Sequence, residues 1–218
     1  MLVFTGIFLL TTFDFKTIKK MSKCLNFSLK YLIILITISV FNSCSSINNE
    51  EDKQYQTIYQ SLKDGQSKFI FKMDGNDFYK PESIFAGHLE MLEGTFTMSY
   101  FDQFDSNVMI HFGGQKWYEG RPIKATIKLD NGYSSNVMFG KITNKAEKLG
   151  AGYLMSEGLI TFKVFTKEKF VIVIVGKAKK YPKVEVSDPS FEVKATIICK
   201  NPKFDVVDID GKKSFYGQ

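Results

Sequence analysis

His88 and Glu90 are the two side chains whose types and spacing come nearest to catalytic or metal-binding chemistry. Residues two apart on a strand point to the same face, so an imidazole and a carboxylate would lie side by side there. Zinc usually has three or four protein ligands, and the chain contains two histidines in total. Because no third ligand stands out, the sequence predicts two exposed polar side chains here and no metal site.

A second candidate is an acidic turn near the C-terminus, where Asp205, Asp208 and Asp210 precede Gly211. Calcium prefers clustered carboxylates on such turns, but the EF-hand spacing and its distal glutamate are missing, so a solvated turn is favoured. The chain has no Gly-x-Ser-x-Gly elbow and no glycine-rich phosphate loop. We therefore predict no catalytic residue and no cofactor. A carboxylate pair suited to glycoside hydrolysis stays open, because sequence gives no distances.

Aromatic residues provide the best candidate for a ligand-binding site. Trp117 and Tyr118 lie in a predicted glycine-rich loop, near Tyr100 and Phe101 in the sequence. Exposed aromatic side chains on loops bind glycans and proteins through their flat, rigid faces. Aromatic residues near strand ends also cap hydrophobic cores. The sequence leaves both interpretations open.

The net charge of +6 is misleading as a guide to partners. The first 43 residues carry five lysines and one aspartate, a net of +4, so about +2 remains for the rest. Nucleic-acid binding calls for a clustered basic face, and we predict no nucleic-acid partner. Of the three cysteines, Cys199 alone lies beyond residue 44, so no internal disulfide is expected in a chain processed there.

The N-terminal segment has the order of parts that a secretory signal requires. Basic residues Lys23 and Lys30 are followed by an apolar run, Tyr31 to Phe41. As a helix this run would be about 16 Å long, too short for a hydrocarbon core of about 30 Å. It therefore indicates a cleavable signal peptide over residues 21–43 rather than a transmembrane anchor. Residues 1–20 are interpreted as an over-extended start.

The sequence Phe41-Asn42-Ser43-Cys44 resembles the lipobox of bacterial lipoproteins, in the relaxed form found in Bacteroidota. The resemblance implies lipidation of Cys44 and cleavage before it; cleavage without lipid is the alternative. The polar stretch from residue 44 to residue 66 is predicted to be a flexible tether, with room for two helical turns from Gln54 to Lys63. Its acidic triplet, residues 50–52, resembles a surface-export signal. These features imply an outer-membrane lipoprotein of the cell envelope, displayed at the surface or toward the periplasm.

The remaining residues, 67–218, alternate with a period of two, which predicts an all-β domain. Clear examples begin at Phe96, Val108, Ile123 and Phe191, and turn residues separate the runs. The apolar run from residue 170 to residue 175 predicts a strand covered on both faces, and residues 144–149 a short helix. An antiparallel β-sandwich is expected, with a lipocalin-like β-barrel as the alternative.

The whole chain is similar to small β-domain lipoproteins of Bacteroidota, many of which have no assigned function. Because the sequence shows no paired catalytic residues, the leading hypothesis is a membrane-tethered, non-enzymatic binding or interaction module with a glycan or protein ligand. The first alternative is a lipocalin-like carrier of an apolar small molecule, which the many aromatic residues favour. An enzyme acting on glycans is the second. The oligomeric state is left open.

Overall fold

The computed structural model describes residues 45–129, 135–182, 185, 187–209 and 214–215 of the chain. The predicted signal peptide, the predicted over-extended start and Cys44 lie outside the described residues. The chain divides into two compact units, residues 1–54 and 55–218. A helix, α1 (Ser45–Ser61), spans the boundary in the sequence, so regular structure begins earlier than the two turns that the sequence suggested. No helix in the described part of the chain is long and apolar enough to cross a membrane.

The end of α1 belongs to the second unit because its side chains contact the sheet. The Tyr59 hydroxyl donates a hydrogen bond to the carbonyl of Glu168 at 3.3 Å, and the Lys200 ammonium donates to the carbonyl of Leu62 at 2.7 Å. The ammonium groups of Lys169 and Lys200 also lie over the Tyr59 ring. The compact unit therefore includes residues that the sequence placed in the tether.

Strands make up most of the second unit, which confirms the all-β prediction. Their bounds are β1 Gln66–Met73, β2 Asn76–Asp77, β3 Phe85–Leu92, β4 Thr95–Asp102, β5 Asn107–Gly113, β6 Lys124–Lys128, β7 Ser135–Asn144, β8 Leu149–Phe165, β9 Lys169–Tyr181, β10 Phe191–Lys200 and β11 Phe204–Val207. Buried and exposed residues alternate along most of them, because successive side chains on a strand point to opposite faces.

Within the described residues, eight antiparallel strands close into a barrel in the order β1-β3-β4-β5-β7-β8-β9-β10 and back to β1. The closing contact is short and consists of Gln66 paired with Ala86 and Ser67 paired with Phe85. The expected β-sandwich is not confirmed, and the barrel alternative fits. Strand β2 pairs with β1, β6 pairs with β8, and β11 runs parallel to β3.

Side chains fill the barrel interior. The inward-facing apolar residues of all eight barrel strands form one buried cluster. Within this cluster the Phe96 and Phe112 rings stack at 4.8 Å, and Phe162 packs edge-on against both. Each buried phenylalanine contributes about 2 to 3 kcal/mol through removal of apolar surface from water. The core is thus the barrel interior itself.

Two glycines allow β8 and β9 to approach each other closely. Gly158 and Gly176 are register partners with φ near +157° and +155°. A Cβ atom on Gly176 would lie 2.1 Å from the carbonyl oxygen of Glu157, which is shorter than any non-bonded contact that a side chain can make. Glycine is therefore required at both positions, where β8 and β9 approach each other closely in the barrel wall.

Two local predictions need correction. No short helix forms over residues 144–149: Asn144 and Leu149 end the flanking strands, and residues 145–148 form a reverse turn between them. The Asn144 side-chain oxygen accepts hydrogen bonds from the backbone N–H groups of Ala146 and Glu147, which favours the turn. Within the predicted buried run, residues 170–175 of β9, both faces are covered only at the start, where Phe170 and Val171 are buried. Val175 is 41% exposed on the outer face.

Candidate binding cleft

Trp117 and Tyr118 close one end of the barrel, here called the Trp117 end. The Trp117 ring packs edge-on against Phe96 at 5.5 Å and Phe112 at 5.2 Å. Its indole N–H donates a hydrogen bond to the carbonyl of Leu92 at 2.9 Å, and Tyr118 is buried. These contacts are those of a core cap, the second of the two interpretations that the sequence left open.

The C-terminal residues complete the same end. Phe215 is buried, and its ring stacks on Phe165 with centroids 5.1 Å apart. The Arg121 guanidinium donates hydrogen bonds to the carbonyls of Gly120 at 3.0 Å and Ser214 at 3.1 Å. Arg121 thereby joins the loop that carries Trp117 to the end of the chain.

Tyr100 and Phe101, the other predicted ligand-binding residues, point in opposite directions from β4. Tyr100 is fully buried inside the barrel, whereas Phe101 is 56% exposed on the outer surface. Phe101 also lies at the opposite end of β4 from Phe96, which Trp117 contacts. The structure thus brings Trp117 and Tyr118 together but not all four aromatic residues, and their role in ligand binding stays a prediction.

The other polar candidates lie on the outer surface. His88 Nε2 is 3.1 Å from a carboxylate oxygen of Asp205, and both side chains are more than half exposed. His111 lies 3.1 Å from the Thr97 hydroxyl. Among the described residues, no three His, Cys, Asp and Glu side chains are arranged to hold a metal ion. Asp210 lies outside the described residues.

Cys199 lies inside the barrel, as its alternating apolar segment suggested. Burial raises the pKa of its thiol to about 12. The thiolate is the reactive form of cysteine, so this side chain is unreactive near neutral pH.

The end of the barrel opposite Trp117 carries an open cleft of about 620 Å³, here called the basic cleft. It lies between the β1–β3 connection, the β4–β5 turn and the end of β7. Its polar side chains are Asp77, Lys80, Gln103, Ser106, Lys141, Thr143 and Lys145. Its aromatic and aliphatic lining residues are Phe78, Tyr79, Phe104 and Ile142.

The floor of the basic cleft is part of the core. Phe78 and Tyr79 are buried and pack against Phe71, and Phe78 also packs edge-on against Phe139 at 5.0 Å. The Tyr79 hydroxyl donates a hydrogen bond to the carbonyl of Asn107 at 2.8 Å. Burial, with a smaller contribution from the nearby Asp102 carboxylate, holds the pKa of Tyr79 well above its ordinary value. The floor is thus an anchored, neutral surface.

Side-chain hydrogen bonds hold the cleft walls. One carboxylate oxygen of Asp102 accepts hydrogen bonds from the backbone N–H groups of Phe104 at 2.9 Å and Ser106 at 2.7 Å. The Gln103 side chain donates to the carbonyl of Glu82 at 2.8 Å and accepts from the N–H of Ile84 at 3.0 Å. The β4–β5 turn is therefore tied to the β1–β3 connection.

Aromatic rings and a carbonyl position two of the three cleft ammonium groups. The Lys80 ammonium lies 3.9 Å from the centroid of the Phe104 ring. The Lys141 ammonium lies 4.5 Å from the Phe78 ring centroid and donates a hydrogen bond to the carbonyl of Phe78 at 2.8 Å. Lys145 instead forms a 2.8 Å ion pair with Asp105, which raises the pKa of Lys145.

Sequence reasoning did not find the basic cleft. Lys80 and Lys141 lie 61 positions apart and belong to no motif. Each sits among ordinary turn and strand residues, as surface lysines do. A pairing prediction that placed the end of β7 beside the β4–β5 turn would have been the signal needed to bring them together.

Comparison with known proteins adds no family to this description. No protein-family model matches the chain, and no curated protein or solved structure is significantly similar to it.

Proposed function

We propose that this protein is a membrane-tethered, non-enzymatic binding module whose ligand occupies the basic cleft. The observation that carries the proposal is an open cleft of about 620 Å³ outside a barrel whose interior is filled. Small-molecule sites typically measure about 300 to 1,000 Å³. The walls of the basic cleft are held by the Asp102 and Gln103 hydrogen bonds. A wall that is already ordered loses less conformational entropy when a ligand binds than a flexible wall does.

The chemistry of the lining favours binding over catalysis. The lining has one carboxylate, Asp77, which forms a 3.0 Å ion pair with Lys72. Glycoside hydrolysis commonly uses two carboxyl groups that face one substrate, and general acid–base catalysis uses a titratable group near its working pH. The described cleft residues offer ammonium groups, an amide and hydroxyls instead. Such groups hold a ligand without a proton-transfer step.

The cellular location belongs to the same proposal and is supported by the sequence. The apolar run of Tyr31 to Phe41 and the lipobox-like residues that end at Cys44 support a lipid-anchored protein of the outer membrane. Protease treatment of intact cells tests this location, together with the intact mass of the recovered N-terminus. We expect an acylated Cys44 and digestion in intact cells. An unmodified cysteine would contradict the lipid anchor, and protection despite the lipid would contradict surface display.

A bulky side chain in the basic cleft should abolish ligand binding. Thr143, at the exposed end of β7, lines the cleft, and Thr143→Trp is expected to fill part of it without disturbing the core. The probes are citrate, inorganic phosphate, tri-galacturonate and maltotriose, titrated by calorimetry into the full-length protein in nonionic detergent. We expect at least one probe to bind the native protein and none to bind the variant.

The matched control is Thr126→Trp, on the exposed outer side of β6. It adds the same ring outside the cleft and should leave binding unchanged. Binding that survives Thr143→Trp would contradict the proposed site, as would the failure of every probe to bind the native protein.

The second candidate function is a lipocalin-like carrier of an apolar molecule, which the closed eight-strand barrel favours. A ligand in the interior would have to displace core side chains such as Phe96 and Phe162, which are fully buried. Native mass spectrometry of the purified protein separates the two candidates. A co-purified apolar ligand, retained in Thr143→Trp, would favour the carrier over the cleft.

A further inference from the structure

We propose that the basic cleft takes an acidic ligand, whose carboxylate, sulfate or phosphate groups contact the ammonium groups of Lys80 and Lys141. This inference rests on the proposed function and specifies its ligand class. It is carried by the placement of these two cations, which the sequence did not indicate.

Charge within the cleft is unbalanced. The lining contains three lysines and one aspartate. Asp77 is already paired with Lys72 at 3.0 Å, and Lys145 with Asp105 at 2.8 Å. In the described part of the chain, neither Lys80 nor Lys141 forms an ion pair with a carboxylate. A ligand anion would supply a counter-charge to these two ammonium groups.

Both ammonium groups are held in position by neutral partners. A cation over an aromatic face is attracted to the ring but keeps its full charge. Lys80 is held in this way by Phe104, and Lys141 by Phe78 and the carbonyl of Phe78. An ammonium has three N–H donors, and one of those on Lys141 is used. At least two remain for an incoming anion at a fixed position.

The same contacts disfavour a neutral sugar. Glycan sites commonly use the open face of an aromatic ring, but the Phe104 and Phe78 rings each have an ammonium group over one face. The other floor residue, Tyr79, is buried and packs edge-on against Phe71 and Phe85. It therefore offers no exposed ring face to a sugar. The cleft therefore presents charge where a neutral-sugar site would present a ring.

Removing one ammonium group should weaken acid binding strongly. Lys80→Met and Lys141→Met keep a long apolar side chain over the ring and remove the charge. We expect each to weaken binding of tri-galacturonate or citrate about tenfold, the size expected for a partly exposed, charge-assisted hydrogen bond. Lys80→Arg and Lys141→Arg keep a cation over the ring, and should recover most of the affinity that the methionine variants lose. The control, Lys124→Met on β6, makes the same charge change outside the cleft.

A substitution of opposite charge should have the opposite effect. Asp105→Asn removes a negative charge at the edge of the cleft and releases Lys145, whose ion pair it breaks. We expect binding of the acidic probes to become about twofold to threefold tighter. Citrate and phosphate on one side and tri-galacturonate on the other distinguish a small acid from an acidic saccharide as the source of the charge.

The outcomes separate this inference from the proposed function. If maltotriose binds, Thr143→Trp abolishes that binding and the lysine variants leave it unchanged, the cleft is a binding site but the acidic ligand is wrong. If no probe binds, or if Thr143→Trp has no effect, both proposals fail. Loss of affinity in the methionine variants, its recovery in the arginine variants and a gain in Asp105→Asn would together support the acidic ligand.

Discussion

Replacing Trp117 by alanine is expected to lower the free energy of unfolding by about 3 kcal/mol, within the range for removing a large aromatic side chain from a core. The change removes ring contacts with Phe96 and Phe112 and leaves the carbonyl of Leu92 without its indole donor. Urea unfolding followed by far-ultraviolet circular dichroism measures this loss. Tryptophan fluorescence is unsuitable, because Trp117 is the single tryptophan of the chain.

The same variant separates a structural role from a ligand-binding role. Because Trp117 and the basic cleft lie at opposite ends of the barrel, folded Trp117→Ala should bind the acidic probes as the native protein does. Phe101→Ala is the control, since its ring is 56% exposed and its removal should cost less than about 0.5 kcal/mol. A Trp117→Ala protein of native stability that had lost probe binding would contradict the core-cap interpretation.

Trp117 illustrates why the ligand-binding residues were hard to predict. An aromatic residue after two glycines has the same local sequence whether it faces solvent or closes a core. Its neighbours Phe96 and Phe165 lie 21 and 48 positions away in the sequence, and only the strand order brings them together. A similar limit applies to Tyr100 and Phe101, adjacent residues whose inward and outward directions depend on which face of β4 is buried.

The strands themselves were predictable because their signal is local. Period-two alternation in the segments around Phe96, Val108 and Phe191 results from side chains that point to opposite faces of one strand, and each segment is a strand in the structure. Barrel closure has no such signal. It depends on two residue pairs between β1 and β3, while every strand of a sandwich would show the same alternation.

Three buried side chains, two inside the barrel and one in the floor of the basic cleft, resist ionisation. Burial raises the pKa of the Cys199 thiol from its ordinary 9.0 to about 12. Burial also raises the pKa of Tyr100 and of Tyr79 above the ordinary value of 10.0 for tyrosine. The Tyr100 hydroxyl, the Ser67 hydroxyl and the Cys199 thiol interact with one another inside the barrel. The Cys199 thiol and the hydroxyls of Tyr79 and Tyr100 therefore keep their protons in the folded protein at pH values where the unfolded chain loses them.

Stability is therefore expected to fall steeply at alkaline pH. Each such group destabilises the folded protein above its unfolded pKa, because the unfolded chain then binds fewer protons than the folded one. Cys199 alone should cost about 1.4 kcal/mol per pH unit from pH 9. Above pH 10 the two tyrosines join it, for a total of about 4 kcal/mol per unit. The partly buried Lys68, whose pKa is lowered by burial, opposes this trend weakly.

Urea unfolding between pH 7 and pH 11 tests this expectation with variants that each remove one titratable side chain. Tyr100→Phe should flatten the slope above pH 10, because it removes one group that loses its proton there in the unfolded chain. Cys199→Ala should flatten the slope between pH 9 and pH 10. Tyr181→Phe is the control, since Tyr181 is 47% exposed.

The contrary result is that Tyr100→Phe and Cys199→Ala each leave the dependence of the free energy of unfolding on pH unchanged. That result would mean that the two groups titrate normally in the folded protein, and hence that water reaches the barrel interior. That result would also reverse the preference between the two candidate functions. A filled interior supports a ligand in the basic cleft, whereas an interior open to water would leave room for an apolar ligand inside the barrel. The alkaline slope is thus a measurement of the core packing on which the proposed function depends.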